Sequence, residues 1–248
     1  MKLTVHRAGC RGHVDHGWLN TWHSFSFASY YNPDRIHFGA LRVLNDDTIQ
    51  EGMGFGTHPH DNMEIITIVL DGELEHRDSM GNGSVIRSGE VQVMSAGTGI
   101  QHSEFNHSNK NEVSLLQIWV FPDKKNVEPR YDQARFQEEE MTDKWRTVVS
   151  PDGNEGSLWI HQQAWFSLGV FEPDSTISYQ LKKADSVVYV FLISGELEVG
   201  SETLNPRDGL CIEQIDSEID MYLCAISKSS SVSKKLNRLW YGIRPIST

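Results

Sequence analysis

"FGTHPHDNMEIITIVLDGELEH", running from Phe55 to His76, decides the fold. Its first part sets two imidazoles, His58 and His60, on either side of Pro59. Its second part, over 64–76, is apolar and β-branched with a single glycine break, the composition of a strand. Side chains on a strand alternate with period 2, so His58 and His60 share one face. Pro59 fixes φ and lacks a backbone donor, which suits a strand entrance where the ladder is not yet needed.

The same patterning extends in both directions. Strands are expected at 40–47, where "ALRVLNDD" alternates and stops at Asn-Asp-Asp, and at 78–86, 89–97 and 113–121. Asn82-Gly83 reads as a hairpin turn, because both positions of such a turn favour positive φ. Residues 122–147 are polar, charged and carry two prolines, the composition of a linker with at most one helical turn. Strand patterning resumes at 157–171, 186–200, 209–215 and 218–226. "EIITIVLDGELEH" and "VVYVFLISGELEV" resemble one another, each an apolar strand followed by Gly-Glu-Leu-Glu, which points to a repeated β unit. The expected fold is all-β: two tandem β-sandwich or β-barrel domains, 1–130 and 131–248. The stretch 237–245 is amphipathic enough to dock onto the body, with its conformation left open.

Composition narrows the function classes. The chain has 248 residues, 38% apolar and 23% charged, as in an ordinary soluble protein. Acidic residues outnumber basic ones by 34 to 22, a net charge of −12 that argues against direct nucleic-acid binding. The longest basic clusters are pairs, such as Lys124-Lys125 and Lys182-Lys183. There is no apolar run long enough to span a membrane, and the first residues lack the apolar core of a signal peptide. Cys10, Cys211 and Cys224 are odd in number and far apart, which fits reduced thiols and a cytoplasmic location.

The chemistry concentrates in the first half. "GTGIQHSEFNHS" (97–108) offers His102 and Glu104, again two apart and again on one face if extended. Three imidazoles and a carboxylate suit a divalent first-row metal with positions left open for a ligand. Such groups would be costly to bury unpaired. Glu64 keeps the parity of His58 and His60, so spacing alone leaves Glu64 and Glu104 both open as the carboxylate. His6, His13, His16, His23, His37, His107 and His161 have no partner at metal spacing. His76 stands just before the expected hairpin tip and is assigned to solvent or to a role supporting the site.

The pattern Gly52-x5-His58-x-His60-x3-Glu64, followed by Gly89-x5-Ser95-x-Gly97 and His102-x3-Asn106, resembles the two motifs of the cupin superfamily. With "HGWLNTWHSFSFASYYNP" (16–33) and "FGALRVLND" (38–46), residues 10–135 resemble the pirin family more closely. The resemblance over 150–230 is one of topology only, without His-x-His.

The pirin resemblance implies a bicupin whose metal is held by His58, His60, His102 and Glu104, leaving Glu64 a supporting or structural role. It implies Fe(II), although the same ligand types accept Zn, Mn, Ni, Co or Cu. It further implies quercetin 2,3-dioxygenase activity: a flavonol-like aromatic substrate, dioxygen, release of carbon monoxide, and Glu104 as general base. The alternative within the family is a non-enzymatic, iron-dependent transcription cofactor that acts through a protein partner. Walls of the substrate pocket are expected from Phe55, Met94 and Phe105, and from Trp18, Trp22, Phe25 and Phe27.

Overall fold

The structure is a computed structural model, and it describes residues 1–224 and 237–241. The chain opens with β1 (Lys2–His6), β2 (Gly12–Asp15), β3 (Leu19–His23) and β4 (Leu41–Ile49). The metal motif and the strands after it follow as β5 (Gly54–His60), β6 (Glu64–Asp71), β7 (Glu73–Asp78) and β8 (Gly83–Arg87). Next come β9 (Glu90–Ser95), β10 (Ile100–Asn106), β11 (Val113–Val120) and β12 (Arg130–Arg135). The remainder is β13 (Arg146–Ser150), β14 (Leu158–Trp159), β15 (Phe166–Phe171), β16 (Ser175–Gln180), β17 (Val188–Ser194) and β18 (Leu197–Val199). It closes with β19 (Glu202–Leu204), β20 (Gly209–Glu213), β21 (Glu218–Leu223) and β22 (Asn237–Tyr241). Single 3-10 turns at Ala8–Cys10, Glu138–Glu140 and Asn154–Gly156 are the helical elements among the described residues.

The chain forms two units. One comprises 12–136 and 150–163, the other 1–11, 137–149 and 164 onward. A single cut near residue 130 therefore does not describe them: β1 pairs with β20, far along the chain, and 150–163 belong with the first half.

In the first unit a seven-stranded sheet, β12-β9-β6-β11-β4-β3-β2, faces a four-stranded sheet, β5-β10-β7-β8. Leu19, Ile49, Val69, Leu74, Ile86, Val113 and Leu115 form a core drawn from both sheets. In the second unit the long sheet contains the order β20-β17-β22-β15, and the short sheet is β16-β21-β18-β19. These orders match β9-β6-β11-β4 and β5-β10-β7-β8 strand for strand, so the expected β repeat is a repeat of topology. The shared Gly-Glu-Leu-Glu marks where the chain leaves the long sheet for the short one. Gly72 (φ 82°) and Gly195 (φ 95°) turn the backbone there. A Cβ on Gly72 would come within 2.7 Å of the Glu112 carbonyl oxygen, so the crossing requires glycine on two counts.

Several expectations need correction. The strand expected to stop at Asn45-Asp46-Asp47 continues to Ile49, because these residues pair on both sides, with β3 and with β11. The β7–β8 hairpin exists, but Arg77 pairs with Gly83, so the loop is 78–82 and Gly81 carries the positive φ (94°). The Asp78 carboxylate sets this turn by accepting the N–H groups of Met80 (2.9 Å) and Asn82 (3.0 Å). The linker 122–147 contains β12, an edge strand on β9 whose polar side chains stay partly exposed. The N-terminal strands β1–β3 and the short β16 had no apolar run to announce them. In 237–245, residues 237–241 form β22 between β15 and β17, and the rest lies outside the described residues, as do 225–226.

Candidate metal centre

β5 and β10 lie side by side, and the register sets His102 directly across from His58 and Ile100 across from His60. Alternation on β10 buries His102 (2% exposed) and Glu104 (4%) while Gln101 and Phe105 point to solvent. The ring centres of His58, His60 and His102 are 4.4–4.9 Å apart, and their nitrogens are close enough to bind one ion. On the other side of β10, β7 sets His76 across from Glu104 and Asp78 across from His102. His76, His102 and Glu104 form a second, fully buried group that shares His102. Three of the four expected ligands thus converge, and the fourth, Glu104, reaches the cluster through His102 rather than through His58 or His60.

The protonation states favour a metal. Burial, reinforced by the neighbouring His58, pushes the His60 imidazole down to about 4. Burial and then the other imidazoles push His102 down to about 2. Both rings are therefore neutral near pH 7, the form that ligates. The Nδ1–H of His58 donates to the Gly56 carbonyl at 2.8 Å, which leaves Nε2 with its lone pair. His102 Nε2 is buried with no hydrogen-bond partner, an uncompensated group of the kind a metal would satisfy. The residues present fit a divalent cation.

Glu104 is oriented by Gln117, whose Nε2 donates at 3.0 Å. Burial pushes its carboxyl up to about 7. Glu64 is equally buried, but it starts β6 in the other sheet, and parity does not carry across the intervening loop. It accepts from Ser95 Oγ at 2.7 Å and is not among the residues that line the cavity. His76 is buried (0% exposed), not solvated, because its strand crosses the sheet interior before the hairpin tip.

The cluster sits in the wall of a cavity of about 500 Å³, within the range of small-molecule sites. Phe55 and Phe27 line it as expected. Met94 and Phe25 are core residues instead, Phe105 is 40% exposed, Trp22 stacks on His13, and Trp18 packs edge-on against Phe55 behind the wall. The opposite wall is a polar row that the sequence did not announce. His23, Asn45 and Gln117 line the cavity in register on β3, β4 and β11, with Thr21 and Asp47 beside them, and the register continues through Thr67 and Gln92 beyond the lining residues. The signal was present as odd parity on β3, β4 and β11, but it needed the strand pairing to become a surface. Trp119 packs edge-on against His60 at 4.8 Å and closes the cluster from the side.

Two barrels, one of them gathering imidazoles and a carboxylate inside, define a cupin protein with a candidate metal centre. Residues 4–120 match the Pirin family, and residues 147–221 match the quercetinase C-terminal cupin domain. The chain is 44% identical over 210 residues to the quercetin 2,3-dioxygenase of Escherichia coli (strain K12), covering 85% of this chain and 89% of that one. It is 40% identical over 203 residues to a pirin-like protein of Caulobacter vibrioides, covering 82% and 87%. Its structure resembles that of the bacterial pirin YhhW from Escherichia coli in complex with nickel(II), at a TM-score of 0.89 and 38% identity, covering 99% and 100% of the two chains. The chain belongs to the pirin family and is a bicupin.

Proposed function

We propose that this protein is a metal-dependent dioxygenase that opens the heterocycle of quercetin or a related flavonol. The observation that carries the reading is the convergence of His58, His60 and His102 beside Glu104 in the wall of a cavity of small-molecule size. The dioxygenase name of a relative 44% identical over most of both chains supports it. The nickel(II) complex of the similar bacterial pirin supports a divalent ion, and Fe(II) is the ion we assign. His58, His60, His102 and Glu104 would hold it.

When bound, the ion supplies Lewis acidity, which lowers the pKa of the flavonol 3-hydroxyl. Glu104 takes that proton. In the metal-free chain burial raises its carboxyl to about 7, the direction that favours uptake of a proton. Gln117 holds the carboxylate in place, so the transfer needs no reorientation. Phe27, Phe55 and Trp119 supply apolar walls that exclude water from the flavonolate. Dioxygen adds, two carbon–carbon bonds break, and the carbon between them leaves as carbon monoxide. Both dioxygen atoms stay in the ester product, so no outside reductant is consumed.

The test is reconstitution with Fe(II), and in parallel with Ni(II), following loss of quercetin absorbance and carbon monoxide release under oxygen. His58→Ala and His102→Ala are expected to lose both metal binding and turnover. Absence of turnover with every first-row divalent ion would sink the enzyme reading, and turnover surviving either substitution would sink the ligand assignment.

A further inference from the structure

The geometry points to a positioning relay, Asp78–His76–His102, that fixes which nitrogen of His102 is offered to the metal. It deepens the metal-site reading above and rests on it. The Asp78 carboxylate lies at the outer end. Its Oδ1 accepts the backbone N–H groups of Met80 and Asn82, and its Oδ2 accepts Asn82 Nδ2 at 2.8 Å. Three donors aimed at one side chain make it an acceptor towards its next neighbour. That neighbour is His76 Nε2, 3.4 Å from Oδ2, with both side chains fully buried. His76 Nε2 therefore carries the proton, and in a neutral ring Nδ1 is left with the lone pair.

His76 Nδ1 faces His102 Nδ1 at 3.4 Å. Two lone pairs, or two N–H groups, would repel there. The lone pair on His76 selects His102 Nδ1 as the donor, and the His102 lone pair then falls on Nε2. This is the nitrogen that the structure leaves buried and without a partner. The relay thus leaves Nε2 as the His102 nitrogen available to an ion beside His58 and His60, whose ring centres stand 4.4 and 4.9 Å from that of His102. His76 is also held by its face: it stacks on Tyr131 at 4.7 Å and 28°. Tyr131 is itself anchored by Gln133 Oε1 at 2.9 Å. The arrangement parallels the Gly56 carbonyl on His58 Nδ1, so two ligands have their tautomers set from behind. The alternative use of His76, as a ligand in its own right with His102 and Glu104, would require its Nδ1 to point at an ion rather than at His102.

Long-range 1H–15N NMR of the full chain, labelled at histidine and stripped with chelator, reads these tautomers directly. The expected pattern is Nδ1–H for His102 and Nε2–H for His76. The reverse pattern, or an imidazolium at either ring near pH 7, would overturn the relay. Asp78→Asn keeps an acceptor for the turn but can present N–H to His76 Nε2. It is expected to switch His76 to the Nδ1–H form and to weaken Zn(II) binding roughly 10–100-fold. Should that variant not fold, His76→Phe preserves the stack on Tyr131 and removes both nitrogens. It is expected to weaken Zn(II) binding by a similar factor, whereas unchanged affinity would reduce His76 to a space filler. A Zn(II)-induced shift of His76 Nδ1 typical of a coordinated nitrogen would make it a ligand instead. If wild-type protein binds no Zn(II), the metal-site reading fails, while the tautomers of the metal-free chain still decide the relay.

Discussion

Asp47 is a residue whose burial works against stability. It is 4% exposed in the cavity wall and accepts a hydrogen bond from the Thr21 hydroxyl. Burial first, then the nearby Asp46 and Glu104 carboxylates, raises its pKa from 3.8 to about 7 against the opposing pull of Thr21. Between about pH 4 and pH 7 the unfolded chain has lost this proton and the folded chain keeps it. Folding then takes up a proton, so stability falls as pH rises through that window. Asp47→Asn removes the titration while keeping an oxygen for Thr21. In metal-free protein it is expected to be more stable than wild type at pH 7 by ~1–3 kcal/mol, with the difference vanishing near pH 4. Urea unfolding at the two pH values measures this, and a pH-independent difference would contradict it. A buried carboxylate kept at such a cost fits a functional surface better than a core. The sequence hid it, because Asn-Asp-Asp after an apolar run has the composition of a strand end. The clustering of His58, His60 and His102 was legible by contrast, since imidazoles two apart at glycine-rich strand edges have few structural uses. Choosing Glu104 over Glu64 rests on the pirin resemblance; in the structure the two glutamates lie in different sheets, and Glu104 is the one beside His102.

The crossings between sheets depend on backbone conformations that only some glycines supply. Gly72 combines φ 82° with a backbone oxygen 2.7 Å from where a Cβ would stand. Gly72→Ala is expected to cost roughly 2–3 kcal/mol. Gly83 makes a control within the same short sheet. It has ordinary backbone angles and its nearest neighbour is Arg77 Cγ at 4.0 Å, an ordinary contact distance, so Gly83→Ala should stay within about 0.5 kcal/mol. A turn read from Asn82-Gly83 alone predicts the opposite for Gly83, so thermal unfolding of the two variants separates the readings. The long apolar strands β6, β11 and β17 were legible because each is buried on both faces. β12 and β16 were not, because a strand with one wet face and mostly polar residues has the composition of a loop until its partner is known. The Gly-Glu-Leu-Glu repeat was legible, and it marks the same crossing in both units.

The duplicated topology makes the difference between the two barrels a chemical one. β16 and β21 occupy the places that β5 and β10 hold in the first unit. Where β10 turns His102 and Glu104 inward, β21 turns Ile219, Met221 and Leu223, all at most 1% exposed. Val188, Val190, Leu197, Leu210 and Ile212 join them in one apolar core, which fills the interior that the first barrel leaves open. Both groups of potential ligands among the described residues lie in the first unit and share His102, so they compete for a single ion. The expected stoichiometry is one divalent ion per chain, read by calorimetric titration or elemental analysis, and two tight sites would refute the sharing of His102. Binding to the folded state alone adds about 2.7 kcal/mol at 100 times the dissociation constant. That added protection belongs to the strands that carry ligands. Hydrogen exchange should slow in β5, β7 and β10 on metal binding and stay unchanged in β17 and β20. Equal slowing in both barrels would mean that the second barrel also responds to the ion, although among the described residues no candidate ligand group lies there.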